Sequence, residues 1–454
     1  LARPADLWWH WGYALVARRC FTLLLFFGTA CPRLAHAVPS FAEQTGQPCV
    51  ACHVGAFGPQ LRQFGRDFKL GGYTATDGSR HSPPIAATTQ VSFTRTNADQ
   101  PGPAARWFAP NDNPALDQIS LYYAGAVTKH VGAFIQITYD GVARQLHIDN
   151  TDIRYSRERH IMGIDTIYGL TLNNAPTVTD IWNSTPVWGF PYNSSALAPS
   201  PQASTLIDGS LGQTVIGLGA YAMWNNWIYT EVDLYRGLSR ELRNATGIVP
   251  VADTSEVADT APYWRLAVQH DYGRSYWELG TYGIDAHVLP PAAMPDGKTD
   301  HYTDIAVDAN WQFTFRPRQI ASDLLSAHAT LIDETEDLQA SSLLYGTHRH
   351  DHLSTLRADI SYSIGGTLTP TAQIFHTGGS TDPALWPNLN GSPNSDGYVL
   401  EVAYVPFGKP NSIIAWGNLR LGVQYIGYTR FDGQTRGAAR NNTLYPNLWI
   451  AWHF

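Results

Sequence analysis

From Asp304 to Phe315 the chain alternates without a break. Ile305, Val307, Ala309, Trp311, Phe313 and Phe315 fall on one side, and Asp304, Ala306, Asp308, Asn310, Gln312 and Thr314 on the other. A period of two belongs to a strand with one apolar and one polar face. The same pattern returns where Leu356, Ala358, Ile360, Tyr362 and Ile364 oppose Arg357, Asp359, Ser361 and Ser363. It returns again where Leu419, Leu421, Val423 and Tyr425 oppose Arg420, Gly422 and Gln424. Such runs, separated by Gly, Pro, Asn, Asp and Ser, fill residues 86–454.

A water-soluble β-sandwich also alternates. Three further features favour a barrel in a membrane. The strands are long, about 10–14 residues, as a tilted membrane-crossing strand requires. Aromatic residues are dense and cluster near strand ends, as in interfacial girdles: Trp224, Trp227, Tyr229, Tyr235, Trp264, Tyr276 and Trp277. The connections alternate in length. Tight turns are expected near Lys129-His130, Glu158-Arg159, Asn225-Asn226, Gly273-Arg274, Pro317-Arg318, Gly365-Gly366 and Gly408-Pro410. Long polar stretches fall near 97–116, 173–213, 239–261, 288–299, 336–351, 379–395 and 432–442. The expected fold is therefore all-β, a transmembrane antiparallel barrel of about 16 strands. Short turns after even-numbered strands place both termini on the periplasmic side. The final Leu448 to Phe454 alternates and ends on an aromatic residue, as outer-membrane strands do.

Composition narrows the function. Charged residues are 15% and hydrophobic residues 44% of the chain, which excludes a disordered protein. The net charge of −8 makes the chain a poor candidate for nucleic-acid binding, which wants a basic face.

The N-terminus reads as an address. Arg18-Arg19, the apolar run Phe21 to Phe27 and Ala35-His36-Ala37 are the three parts of a secretory signal peptide, so residues 1–37 are expected to be removed. Cys20 and Cys31 leave with them, and only Cys49 and Cys52 remain.

Those two cysteines stand in Cys49-Val50-Ala51-Cys52-His53. C-x-x-C-H is the c-type haem attachment signature. Two thiols separated by two residues can each add to one vinyl group of a haem, and the adjacent His then binds iron from below. A thioredoxin-type pair expects a βαβ context, which does not follow. A zinc site would need two more ligands. Residues 38–85 are thus expected to be a small, mainly helical domain carrying one covalently attached haem c, with residues 86–454 as the barrel. The run Pro59 to Leu70 predicts one helix with an apolar stripe of Leu61, Phe64, Gly65 and Phe68, stopped by Gly71-Gly72. No distal ligand is obvious. The methionines, Met162, Met223 and Met294, lie far along the chain, and His81, the nearest later His, is the distal-ligand candidate that the sequence offers.

A signal peptide, one C-x-x-C-H and a porin-sized barrel together resemble the fused cytochrome–porins of the bacterial outer membrane, the class that includes the iron-oxidising outer-membrane cytochrome c. The resemblance is strongest over Val38 to Gly46, the haem motif and Phe64 to Tyr73. It implies haem held by Cys49 and Cys52, with His53 as proximal iron ligand. It further implies an outer-membrane conduit that accepts electrons at the cell surface, with Fe(II) as donor, and passes them to a periplasmic carrier such as a soluble cytochrome or copper protein. A single haem serves best inside the lumen, so the N-terminal domain is expected to plug the barrel. His348, His350 and His352 would share one face of an extended segment at the outer surface and offer imidazoles for Fe(II) docking. Asp304, Asp308, Glu231 and Asp233 are expected to face the lumen. Two other readings stay open: a haem-plugged diffusion channel or redox sensor, and a haem enzyme.

Overall fold

The computed structural model describes residues 39–79, 83–246, 255–291, 297–414 and 417–453. The signal-peptide segment, His81 and Met294 lie outside the described residues. Sixteen barrel strands follow in chain order among the described residues. The first eight are β1 (Ile85–Thr96), β2 (Asn113–Thr128), β3 (Val131–Asp140), β4 (Gln145–Ile161), β5 (Ile164–Asn173), β6 (Val215–Trp224), β7 (Ile228–Gly237) and β8 (Ala261–Asp271). The rest are β9 (Ser275–Leu289), β10 (Asp300–Thr314), β11 (Leu324–Asp337), β12 (His350–Ser363), β13 (Leu368–Gly379), β14 (Ser395–Tyr404), β15 (Gly417–Arg430) and β16 (Thr443–His453). Each pairs antiparallel with its neighbour in sequence. β1 also pairs with β16, Ala86 opposite His453 and Thr89 opposite Ile450, which closes the barrel. A two-residue strand, Glu256–Val257, adds to the end of β9.

The faces are inverted relative to a soluble protein. On β10, Ile305, Val307 and Trp311 are exposed on the outside, while Asp304, Asp308, Asn310 and Gln312 are buried inside. Leu279, Leu331, Ile360, Ile374, Val402 and Val423 extend the exposed apolar belt. An apolar belt of this extent on a closed barrel suits hydrocarbon, not water. Glu231 and Asp233 are buried on the inner side of β7. The aromatic residues divide between the faces. Trp227 and Trp264 are exposed, but Tyr229, Tyr235 and Tyr276 are buried inside, where their hydroxyls bond Glu231, Asn173 and Gln269. Those tyrosines belong to the lumen and not to a girdle.

Most short connections lie at one end and most long ones at the other, but residues 141–144 make a short connection at the long-loop end, and the tight turn expected at Pro317-Arg318 is a longer connection over 315–323. Asn225 and Asn226 both hold positive φ (48° and 56°), the pair of left-handed residues that a two-residue hairpin turn requires. The turn expected at Glu158-Arg159 lies instead at Met162-Gly163, because β4 continues through Ile161. Gly408-Pro410 sits in a longer connection, not a tight turn. At the other end, residues 174–214 fold back into the lumen. The Ile207 N–H donates to Asp304 Oδ2 at 2.8 Å and Arg357 Nη1 donates to Asp208 Oδ1 at 2.8 Å. The Thr94 and Ser195 hydroxyls meet at 2.5 Å.

The N-terminal segment lies against the inner wall. It carries α1 (Pro39–Thr45), the single turn α2 (Cys49–Cys52) and α3 (Gln63–Leu70). Ser40 Oγ donates to Ala124 O at 2.8 Å, Gln60 Nε2 to Ser326 Oγ at 2.8 Å and Arg66 Nη1 to Gln312 Oε1 at 3.0 Å. Tyr73 donates its hydroxyl to Asp152 Oδ2 at 2.6 Å.

Candidate functional site

The cysteine motif is built by one helical turn and a tight return. Pro48 is extended and precedes α2, and the His53 N–H closes the turn on Cys49 O at 2.9 Å. The chain then reverses through Gly55, Ala56 and Gly58, all at positive φ, and comes back antiparallel, with Leu61 bridged to His53. This return takes up Gln60 to Arg62, where the Val54 N–H donates to Gln60 O at 3.0 Å and the Arg62 N–H to Cys52 O at 2.8 Å. The helix expected over 59–70 therefore starts only at Gln63.

α3 packs directly on the motif. A Cβ placed on Gly65 would lie 2.5 Å from Cys52 O and 2.9 Å from Leu61 Cδ2, so only glycine permits this approach. Leu61, Gly65 and Phe68 face the same cavity as Cys49, Cys52 and His53. Phe64, the fourth member of the expected stripe, is exposed.

The cavity measures about 320 Å³, within the range of roughly 300–1,000 Å³ of small-molecule and cofactor sites. Phe41, Phe134, Trp188 and Trp449 supply much of its wall. Both the N-terminal segment and the inward loop 174–214 contribute to it. Cys49 is buried, and its sulfur accepts a hydrogen bond from Asn418 Nδ2 at 3.4 Å. Burial pushes the Cys49 thiol well above its ordinary value, with Cys52 adding to the effect, and pushes the Cys52 thiol up to about 12. Burial lowers His53 to about 4, which leaves a neutral imidazole at pH 7. Its Nδ1 is buried without a hydrogen-bond partner.

These residues fit a covalently held haem. Two thiols at the attachment spacing and a neutral imidazole share an aromatic-walled cavity within the size range of cofactor sites. No Met and no second His appears among the described residues that line it. Met162 is exposed on a turn, and Met223 packs in the wall with Tyr221 and Tyr229.

Sequence reasoning missed Lys69. Its Nζ donates to Val178 O and Asn183 Oδ1, both at 2.7 Å, which ties α3 to the inward loop. Burial lowers this amine to about 7. Nothing in the local pattern separated Lys69 from an ordinary solvent-facing lysine at a helix end.

The three expected docking histidines do not converge. β12 alternates, so His350 and His352 point outward while Asp351 points inward. His352 Nε2 pairs with Asp333 at 2.9 Å, and His350 lies near Asp337. His348 precedes the strand and turns toward Asp351 and Asp382 instead.

No family model matches the chain, and no curated protein matches it. Solved structures do align. The outer membrane channel DcaP of Acinetobacter baumannii covers 82% of this chain and 96% of its own, at 12% identity and a TM-score of 0.44. OprB of Pseudomonas putida covers 82% and 93%, at 13% identity and a TM-score of 0.44. The anion-selective porin from Comamonas acidovorans covers 82% and 98%, at 10% identity and a TM-score of 0.44. By its own geometry, a closed antiparallel barrel with an apolar exterior and a polar interior, the chain has the architecture of a porin-like outer-membrane β-barrel.

Proposed function

We propose that the chain is an outer-membrane electron conduit, in which one haem c is held in the lumen by Cys49 and Cys52 with His53 as its proximal ligand. The observation that carries this reading is the convergence of those three residues on one aromatic-walled cavity. The haem would supply one-electron redox chemistry. The protein supplies the rest. The cysteines fix the group against loss into a wet pore. Neutral His53 offers a lone pair. Gly65 lets α3 close over the motif, and the inward loop 174–214 contributes Asn183, Val187, Trp188, Tyr192 and Asn193 to the same cavity. An outer-membrane barrel has an apolar band about 25 Å tall, so a single redox centre serves best within it.

Fe(II) outside is the favoured donor, and a soluble periplasmic cytochrome or copper protein the acceptor. The test is anaerobic stopped-flow absorbance of the oxidised protein mixed with Fe(II). Rapid change of the haem bands, absent from the Cys49→Ala/Cys52→Ala protein, is the expected outcome. Haem bands that respond to dithionite but not to Fe(II) would rule out the iron-fed reading. A second reading, a haem-plugged diffusion channel or sensor, draws on the porin-like architecture. Conductance in a planar bilayer separates the two, since a conduit filled as described passes little ionic current.

A further inference from the structure

His348, Asp351 and Asp382 bring one nitrogen and two carboxylate oxygens within 4.8 Å of one another at the long-loop end of the barrel. Three different segments meet here: the approach to β12, the second residue of β12 and the loop after β13. Asp382 is fixed by backbone groups. Its Oδ1 accepts from the Ala384 N–H at 2.8 Å and the Leu385 N–H at 3.3 Å, and its Oδ2 accepts from the His348 N–H at 2.6 Å. Asp351 is different. Its side chain is 3% exposed, the Ser380 hydroxyl and the Asp382 carboxylate lie beside it, and its Oδ2 is buried without a well-formed hydrogen bond. The His348 ring stands 3.6 Å from Asp351 Oδ1, beyond hydrogen-bond reach.

A buried, unsatisfied carboxylate oxygen is costly, and two adjacent carboxylates repel unless a proton or cation sits between them. Imidazole with two carboxylates is the donor set of a first-row divalent ion, whereas Ca²⁺ and Mg²⁺ prefer all-oxygen sites. Metal–ligand bonds of about 2.0–2.2 Å hold two donors no more than about 4.4 Å apart, so a set already within 4.8 Å needs only a small side-chain adjustment to close on one ion.

We propose that His348, Asp351 and Asp382 bind one divalent transition-metal ion at the outer rim. As a docking place for Fe(II) the site rests on the conduit reading, but as a cation site it does not.

The test uses the full, haem-bearing protein in detergent after removal of metal. Mn(II) is added and the free ion is counted from its electron paramagnetic resonance signal. One saturable equivalent is expected. His348→Ala and Asp351→Asn should each weaken it at least tenfold, while His350→Ala/His352→Ala leaves it intact. Asp351→Asn is nearly isosteric, and unchanged haem bands with an undiminished metal-free melting temperature show that it folds. No saturable equivalent in the parent protein, or one that survives Asp351→Asn, would overturn the site. So would loss on His287→Ala, which alters the separate half-buried cluster of Asp285, His287 and His301. The docking role is judged separately. It predicts at least tenfold slower haem reduction by Fe(II) in Asp351→Asn with dithionite reduction unchanged, and equal Fe(II) rates would end that role while leaving the cation site standing.

Discussion

Cys49 and Cys52 are reactive in sequence and inert in the fold. Both sit in the lumen, Cys49 buried and Cys52 half-buried, and desolvation raises both thiols, Cys52 to about 12. The thiolate is the reacting form, so haem attachment is expected to precede closure of the barrel over the motif. Haem-free protein should accordingly resist iodoacetamide at pH 8 until it is unfolded. Modification of either thiol at the rate of a free cysteine in the folded barrel would refute this. Gly65 gives a second residue-scale prediction. In Gly65→Ala the added methyl meets the Cys52 carbonyl, which is backbone and cannot swing aside. Overpacking of this kind costs about 1–3 kcal/mol, and thermal melting followed at the haem bands should fall accordingly. The Cys49–His53 motif could be singled out from sequence because its chemistry depends on spacing along a few residues. The His348 cluster was not, because Asp382 comes from a loop 34 residues further on and acidic residues are common throughout such chains. Three histidines at alternate positions suggested a shared face, but His348 lies before the strand that imposes the alternation.

At the scale of elements, the inward loop 174–214 depends on Asp180. Its carboxylate accepts the backbone N–H groups of Trp182, Ser184 and Thr185 and the Thr185 hydroxyl, and Arg265 lies 3.6 Å away. Burial opposes the charge, but Arg265, Lys69 and the backbone donors more than offset it, so Asp180 lies below the ordinary carboxylate range. A carboxyl group with a depressed folded value stabilises fully above its unfolded value, about 3.9. That contribution is lost only as pH falls through the lower folded value. The loop should therefore hold from neutral pH down to about 4. Asp180→Ala should admit protease to residues 186–203 and raise ionic conductance at neutral pH. A variant as resistant and as quiet as the parent would show that the loop is held elsewhere. The loop's length was visible in the sequence, but its inward path was not. Asp180, Arg265 and Lys69 are polar residues whose pattern fits a solvated loop, a barrel wall or a helix surface equally well. The turn expected at Glu158-Arg159 likewise falls within the last part of β4.

For the whole molecule the remaining question is direction. Alternation, closure and the even strand count follow from residue pattern, since each strand must pair on both edges and turn one apolar face to lipid. Direction depends on which end the short turns occupy, and bacterial barrels place short turns toward the periplasm. Two residues report it cleanly because both are almost fully exposed on opposite ends. Met162 is 97% exposed on the turn between β4 and β5, and Leu389 is 87% exposed in the loop between β13 and β14. Leu389→Cys is expected to react with a membrane-impermeant maleimide on intact cells, and Met162→Cys only after the outer membrane is permeabilised. The reverse pattern would place the haem motif's end of the chain outside. It would also put His348, Asp351 and Asp382 in the periplasm, where no extracellular ion could meet them first. The same labelling thus constrains the conduit reading. Electron entry from outside requires the long-loop end, with its proposed cation site, to face the medium, and the N-terminal segment to approach the haem cavity from the periplasmic side.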